Sequence, residues 1–194
     1  AADRQHAMRI DIPAPRGEVV DAVGRPLAIS ADADSIWANP REVHDVAGTA
    51  EKLAALTGGD AATLESKLAG DRPFVWIVRH VKPEIAKAVR EAKLRGIEVS
   101  REPRRWYPAK EVGGPVIGRA DIDGIGLDGI ELSMNDLLTG KHGAVNALRD
   151  ARGHRMMQSL DEVDAQPGAR VTLSVDRSIQ AISDTKLKEA DVLS

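Results

Sequence analysis

The sequence contains no cysteine. That excludes a disulfide framework, a thiolate-ligated zinc or iron–sulfur centre and a cysteine nucleophile. Aromatic residues are almost as scarce, with five (Trp37, Phe74, Trp76, Trp106, Tyr107) in 194 residues. The hydrophobic fraction of 42% includes 28 alanines, so large apolar volume is thin, and two small cores or an elongated body are expected in place of one thick core. No run approaches the roughly 18 apolar residues of a membrane span, and the start lacks the basic and apolar regions of a signal peptide, so the chain as given is expected to be soluble. An excess of one charge is also missing. With 27 Lys and Arg against 30 Asp and Glu there is no electrostatic case for a nucleic-acid partner.

Alternating and helical patterns place elements along the whole chain. Glu18–Val20 and Leu27–Ser30 read as short strands around the turn Asp21-Ala-Val-Gly24, and Ser35–Ala38 as another strand that ends at Asn39-Pro40. Thr49 to Leu56 and Asp60 to Leu68 read as helices stopped by glycine. Phe74–Val78 is an apolar, β-branched run expected to be a strand buried on both faces, and Pro83 opens a helix that ends near Gly96. Ile97–Arg101 and Val116–Ala120 are further expected strands, separated by a rigid segment from Glu102 to Pro108. Gly129–Leu138 reads as a short helix, and His142–Arg149 with Arg155–Leu160 as a hairpin turning at Asp150–Gly153. Arg170–Val175 alternates as a strand, after which Asp176 caps a final helix.

Several short motifs invite chemistry. Gly124-Ile-Gly-Leu-Asp-Gly129 has the G-x-G-x-x-G spacing of a dinucleotide loop, so a nucleotide-binding enzyme is one alternative. Against it, the lead-in carries Asp121 and Asp123 where a buried apolar strand is needed, and Asp128 would face a pyrophosphate. Ser183-Asp-Thr-Lys186 fits the S-x-x-K of serine acyl-enzymes, but no Lys-Thr-Gly or Lys-Ser-Gly accompanies it. His6, His44, His80, His142 and His154 never fall at i, i+4, so no metal ligand is assigned. The arginines of Arg101–Tyr107 are expected to bond carbonyls or carboxylates at a subdomain junction, with Glu131 as partner for one of them. No catalytic, cofactor-binding or metal residue is assigned.

The ordered set of segments carries more weight than any single one. Arg16-Gly-Glu-Val-Val-Asp21-Ala-Val-Gly24-Arg-Pro-Leu-Ala28, Arg105-Trp-Tyr-Pro108, Gly126-Leu-Asp-Gly-Ile-Glu131, Leu138-Thr-Gly140 and Val171–Asp176 with Gln180 follow one another at compatible spacing. Together they resemble the N-terminal, non-catalytic region of class B penicillin-binding proteins, most closely the division-specific peptidoglycan D,D-transpeptidases. One departure is Ala22, where the family carries the arginine of D-R-x-G, which puts one family ion pair in question.

The resemblance implies an α+β fold: an elongated β-rich pedestal, residues 1–44 and 97–176, with a small α/β head inserted at 45–96. Residues 177–194 would begin the connection toward a transpeptidase domain. Arg16, Gly17, Asp21, Gly24, Arg105, Tyr107, Pro108, Gly126, Gly129, Glu131 and Asp176 would form the structural and interdomain motifs, with no cofactor. The implied setting is the periplasmic face of the inner membrane, with an anchor helix ahead of Ala1. The implied partners are a membrane glycan polymerase, other division proteins and the parent's own transpeptidase domain, and the module itself would perform no chemistry. A stand-alone periplasmic adaptor with the same fold is the further alternative.

Overall fold

The computed structural model describes residues 7–109, 114–149, 155–156 and 163–191. The chain is α+β and divides into two compact units, one made of Ala1–Ala31 and Arg105–Ser194 and the other of Asp32–Arg104. The continuous unit is wider than the expected 45–96 insertion because it takes in strand residues on both sides of that span. The expected pair of small cores is present, one in each unit.

In the discontinuous unit, β1 (Ala7–Ile12) pairs antiparallel with β6 (Gly143–Arg149), which also pairs β7 (Arg155–Met156). The expected hairpin tip, Asp150–Gly153, lies outside the described residues. β2 (Val19–Val20) joins the start of β3 (Pro26–Ala38) antiparallel and β8 (Val171–Thr172) in parallel. Val19, Leu27, Ala28, Ala109, Ile117 and Leu138 bury the core between them.

Three sequence expectations are corrected here. Val116–Ala120 is not a strand: Pro115, with its fixed φ, fits the first turn of the short helix α4 (Gly114–Ile117). Gly118 then ends the helix at φ +76°, donating its N–H to the Gly114 carbonyl at 2.8 Å. Gly129–Leu138 is two short helices, α5 (Gly129–Ser133) and α6 (Asn135–Leu138), broken at Met134. The strand at 170–175 narrows to β8, and Asp176 accepts N–H bonds from Ser178 and Ile179 to start α7 (Arg177–Asp191).

In the continuous unit, α1 (Val46–Thr57) and α2 (Ala61–Leu68) are N-capped by Asp45 and Asp60, whose carboxylates accept from Gly48 and Thr63. The first cap is Asp45, and the helix therefore begins earlier than the expected Thr49. β4 (Val75–Val81) pairs antiparallel with the second half of β3, and α3 (Pro83–Ala92) follows with Pro83 in its first turn. Ile36, Leu53, Leu64, Leu68, Ile77 and Val89 fill the core.

Further corrections concern the strands. β3 is continuous from Pro26 to Ala38, because no glycine or proline interrupts Leu27–Ala38. β4 is half-buried, with only Ile77 fully inside, and among the described residues it ends its sheet, with β3 as its strand neighbour. The Lys67 ammonium donates to the carbonyls of Trp76 and Ile77 at 3.2 and 3.1 Å. β5 (Ile97–Trp106) runs on into the Glu102–Pro108 segment expected to be rigid and to follow the strand; among the described residues it pairs with β3 alone, and an edge position of this kind tolerates Pro103.

A second polar cluster lies inside the continuous unit. A bulge opposite Ser35 leaves His80 at φ +55°, an uncommon conformation for a residue with a side chain, and its N–H donates to Ser35 Oγ at 2.9 Å. The Ser35 hydroxyl donates to Glu102, which Arg79 clasps through Nε at 2.9 Å and Nη2 at 2.7 Å. Arg79 also lies 5.0 Å from the centre of the Trp76 ring.

Candidate functional site: a buried arginine–glutamate network

Glu131 is wholly buried on α5, and its carboxylate is divided between two guanidiniums. Arg16 Nε donates to Oε2 at 2.6 Å and Arg105 Nε to Oε1 at 2.7 Å, with the arginine side chains 5% and 4% exposed. Burying three ionised groups is expensive unless every lone pair and proton finds a partner. Most do. Arg16 Nη2 donates to the Glu131 carbonyl at 2.7 Å, and Nη1 reaches the Gly124 carbonyl and Asn135 Oδ1, both at 2.9 Å, and Thr139 Oγ1 at 3.1 Å. Arg105 Nη1 donates to the Gly17 carbonyl at 2.7 Å.

Tyr107 completes the cluster. Its hydroxyl donates to Glu131 Oε1 at 3.4 Å and accepts the Ala120 N–H at 2.8 Å. Burial, with the Glu131 charge adding to it, holds the phenol above its usual range despite the opposing Ala120 bond. Pro108 follows directly, in a turn after β5 has ended at Trp106. Gly17 donates to the Leu138 carbonyl at 2.8 Å, which fixes the backbone beside Arg16.

The glycine loop serves packing. Gly126 donates its N–H to Asn135 Oδ1 at 3.0 Å, and a methyl in place of its hydrogen would collide with the Glu131 carbonyl. Gly129 opens α5 at φ +56°. The element before the loop is a short helix and turn, so the strand–loop–helix context of a dinucleotide site is absent from these residues. The Ser183–Lys186 pair is likewise committed elsewhere: Ser183 bonds the Ile179 carbonyl at 3.0 Å and Lys186 pairs Glu189 at 2.7 Å on an exposed helix face.

Asp21 centres a second ionic cluster. Oδ1 accepts the N–H groups of Val23 and Arg25, closing the turn in which Gly24 sits at φ +84°. Oδ2 receives Arg25 Nε at 2.6 Å, while Arg25 Nη2 donates to Asp176 at 2.7 Å. Where the family pattern has an arginine at position 22, here Ala22, the guanidinium beside Asp21 comes from Arg25. Desolvation alone would raise the Asp21 pKa, but the bonds from Arg25, Arg177 and Val23 outweigh it and hold the carboxyl at about 2, below 3.8. A depressed carboxyl stabilises the folded state above its unfolded pKa, and that contribution disappears as pH falls from about 3.8 toward about 2. Acid unfolding followed by circular dichroism is therefore expected to lose part of its pH dependence in this window in Asp21→Asn.

The structure brings Arg16, Gly17, Arg105, Tyr107, Gly126 and Glu131 into one cluster and Asp21, Gly24 and Asp176 into the other. Sequence reasoning missed Asn135, Thr139 and Arg25. Asn135 carried a usable signal, being a helix-start polar residue four positions beyond Glu131.

A β-rich unit tied internally by buried charges and interrupted by an α/β segment defines a structural module, its ionisable groups aimed at one another. The chain belongs to the Penicillin-binding Protein dimerisation domain family, which matches residues 11–173. It is 34% identical over 182 residues to the peptidoglycan D,D-transpeptidase FtsI of Escherichia coli K12, covering 90% of this chain and 31% of that one. It is 36% identical over 185 residues to the probable peptidoglycan D,D-transpeptidase PenA of Neisseria gonorrhoeae, covering 92% and 32%. The chain thus spans about a third of the length of these relatives. The fold matches PBP2 in its complex with MreC from Helicobacter pylori at a TM-score of 0.76 and 18% identity, over 96% of this chain and 39% of that one. Among the described residues no helix is long and apolar enough to cross a membrane.

Proposed function

We propose that this module is the non-catalytic pedestal of a cell-division peptidoglycan transpeptidase, standing on the periplasmic face of the inner membrane and positioning the transpeptidase domain. The observation that carries the reading is the family match over residues 11–173, together with two transpeptidase relatives at 34% and 36% identity. Arg16, Arg105 and Glu131 act as a clamp that keeps the β-rich part stiff enough to set the height of an attached domain. Residues 45–96 form the head that engages division partners, among them a membrane glycan polymerase. The reading gains support from the Helicobacter pylori PBP2, which was solved in complex with the protein MreC.

The test is binding of the purified chain to detergent-solubilised septal glycan polymerase, with a variant lacking residues 48–95 as the control. Saturable binding that disappears with the head is the expected result. Binding that persists without residues 48–95 would move the contact off the head, and no binding by either form would leave the module a spacer.

A further inference from the structure

Helix α7 leaves the discontinuous unit through an ionic knot at its first turn. The parallel pairing of β2 with β8 runs on past the strand ends, with the Leu173 N–H on the Val20 carbonyl at 2.9 Å and the Ala22 N–H on the Val175 carbonyl at 3.0 Å. That ladder delivers Asp176, the cap of α7, beside the turn Asp21–Arg25. Arg25 then joins the two. Its Nε donates to Asp21 Oδ2 at 2.6 Å, Nη2 to Asp176 Oδ1 at 2.7 Å and Nη1 to Ser178 Oγ at 2.7 Å. The Arg177 N–H adds a bond to Asp21 Oδ2 at 3.2 Å. A planar guanidinium with all three nitrogens engaged fixes orientation as well as distance.

Hydrophobic burial does not aim this helix. Its apolar residues Ile179, Ile182 and Leu187 are 64–67% exposed. The described residues of α7 that are partly covered, Arg177, Gln180, Ala181 and Asp184, include no large apolar side chain. Where Arg177 and Gln180 border a slot lined by Leu27, Ile117, Leu173 and Val175, the helix meets apolar surface with polar side chains. Its direction therefore depends on the polar contacts of the first turn.

We propose that Arg25 is a positioning residue that sets the direction in which α7 leaves the β-rich unit. Every group in the knot belongs to the discontinuous unit. What α7 would aim, a transpeptidase domain attached beyond it, rests on the function proposed above. The direction of α7 does not, and it is read from this chain alone.

Because the sequence has no cysteine, two spin labels can be placed cleanly, at Leu187→Cys on α7 and at Leu132→Cys on α5, both exposed. Pulsed electron paramagnetic resonance on this otherwise wild-type chain is expected to give one narrow distance distribution. Arg25→Gln keeps a donor for Asp21 but gives up the reach to Asp176 and Ser178. It is expected to broaden or shift the distribution while circular dichroism shows the helix retained. Asp176→Asn keeps the capping oxygen and removes the charge that Arg25 meets, so it is expected to act in the same sense. If Arg25→Gln loses helix, Asp176→Asn takes its place as the deciding variant. Arg170→Gln breaks the exposed pair with Glu18 in the same unit and is expected to leave the distribution unchanged. A broad distribution in the wild-type background, an unchanged one in the deciding variant, or equal broadening in Arg170→Gln overturns the inference.

Discussion

Glu131→Ala is expected to unfold the discontinuous unit or to destabilise it by about 3–5 kcal/mol, because it strands two buried guanidiniums at once. The wild-type side chains of Arg16 and Arg105 are 5% and 4% exposed, so neither can recover its hydration without opening the core. Glu131→Gln keeps an acceptor but gives up the charge, and its cost falls between the wild type and alanine. Chemical denaturation checks the order wild type, glutamine, alanine. Arg105→Ala is milder, about 1–3 kcal/mol, since Arg16 remains to neutralise the carboxylate. Equal stabilities for wild type and Glu131→Ala would show that the network contributes nothing to holding this unit together.

Glu102→Ala should have a similar effect on the other unit, again about 3–5 kcal/mol. It removes a bidentate carboxylate partner of Arg79, whose side chain is 16% exposed, and the acceptor of the Ser35 hydroxyl that in turn holds the His80 N–H at the bulge. Hydrogen exchange should localise the loss to residues 32–104 and leave the Arg16–Glu131 network protected. The same cluster makes this unit acid-sensitive. Burial lowers the His80 pKa below 6.5, the Glu102 charge opposing, so its neutral form stabilises the fold above 6.5 and that contribution falls away as pH drops below 6.5. Burial raises the Glu102 carboxyl, but Arg79 and Ser35 prevail and hold it below 4.5, so its contribution is lost as pH falls below 4.5. Both effects weaken the unit on acidification, in two successive windows. In Glu102→Gln the lower window should shrink in the stability–pH profile of this unit, leaving the part that Asp60 contributes below 3.8.

Much of this was legible in the sequence, for identifiable reasons. Helices announced by Asp60 and Pro83 were readable because caps and proline act locally. Glu131 was readable as an arginine partner because its motif lies in order with Arg16 and Arg105. Val116–Ala120 was misread because its β-branched residues suit a strand, while Pro115 and Gly118 set the backbone. The continuity of β3 was hidden by Ala31-Asp-Ala-Asp34, a run with poor strand propensity that tertiary pairing overrides. The Ser35–Glu102 cluster left no local mark at all, since its members are 67 residues apart and meet through strand pairing.

The sequence distance between Arg16 and Glu131, 115 residues, also means that assembly must close a long loop. The unit Asp32–Arg104 is one uninterrupted stretch, so a chain emerging N-terminus first can complete it early. The β-rich unit must wait for Glu131, Asn135 and Thr139 to arrive, and until then Arg16 lacks these partners. Closing so long a loop is slow, and a finished inserted unit shortens the effective loop by bringing its two ends into neighbouring strands. Prior folding of the inserted segment is therefore expected to speed assembly of the unit it interrupts.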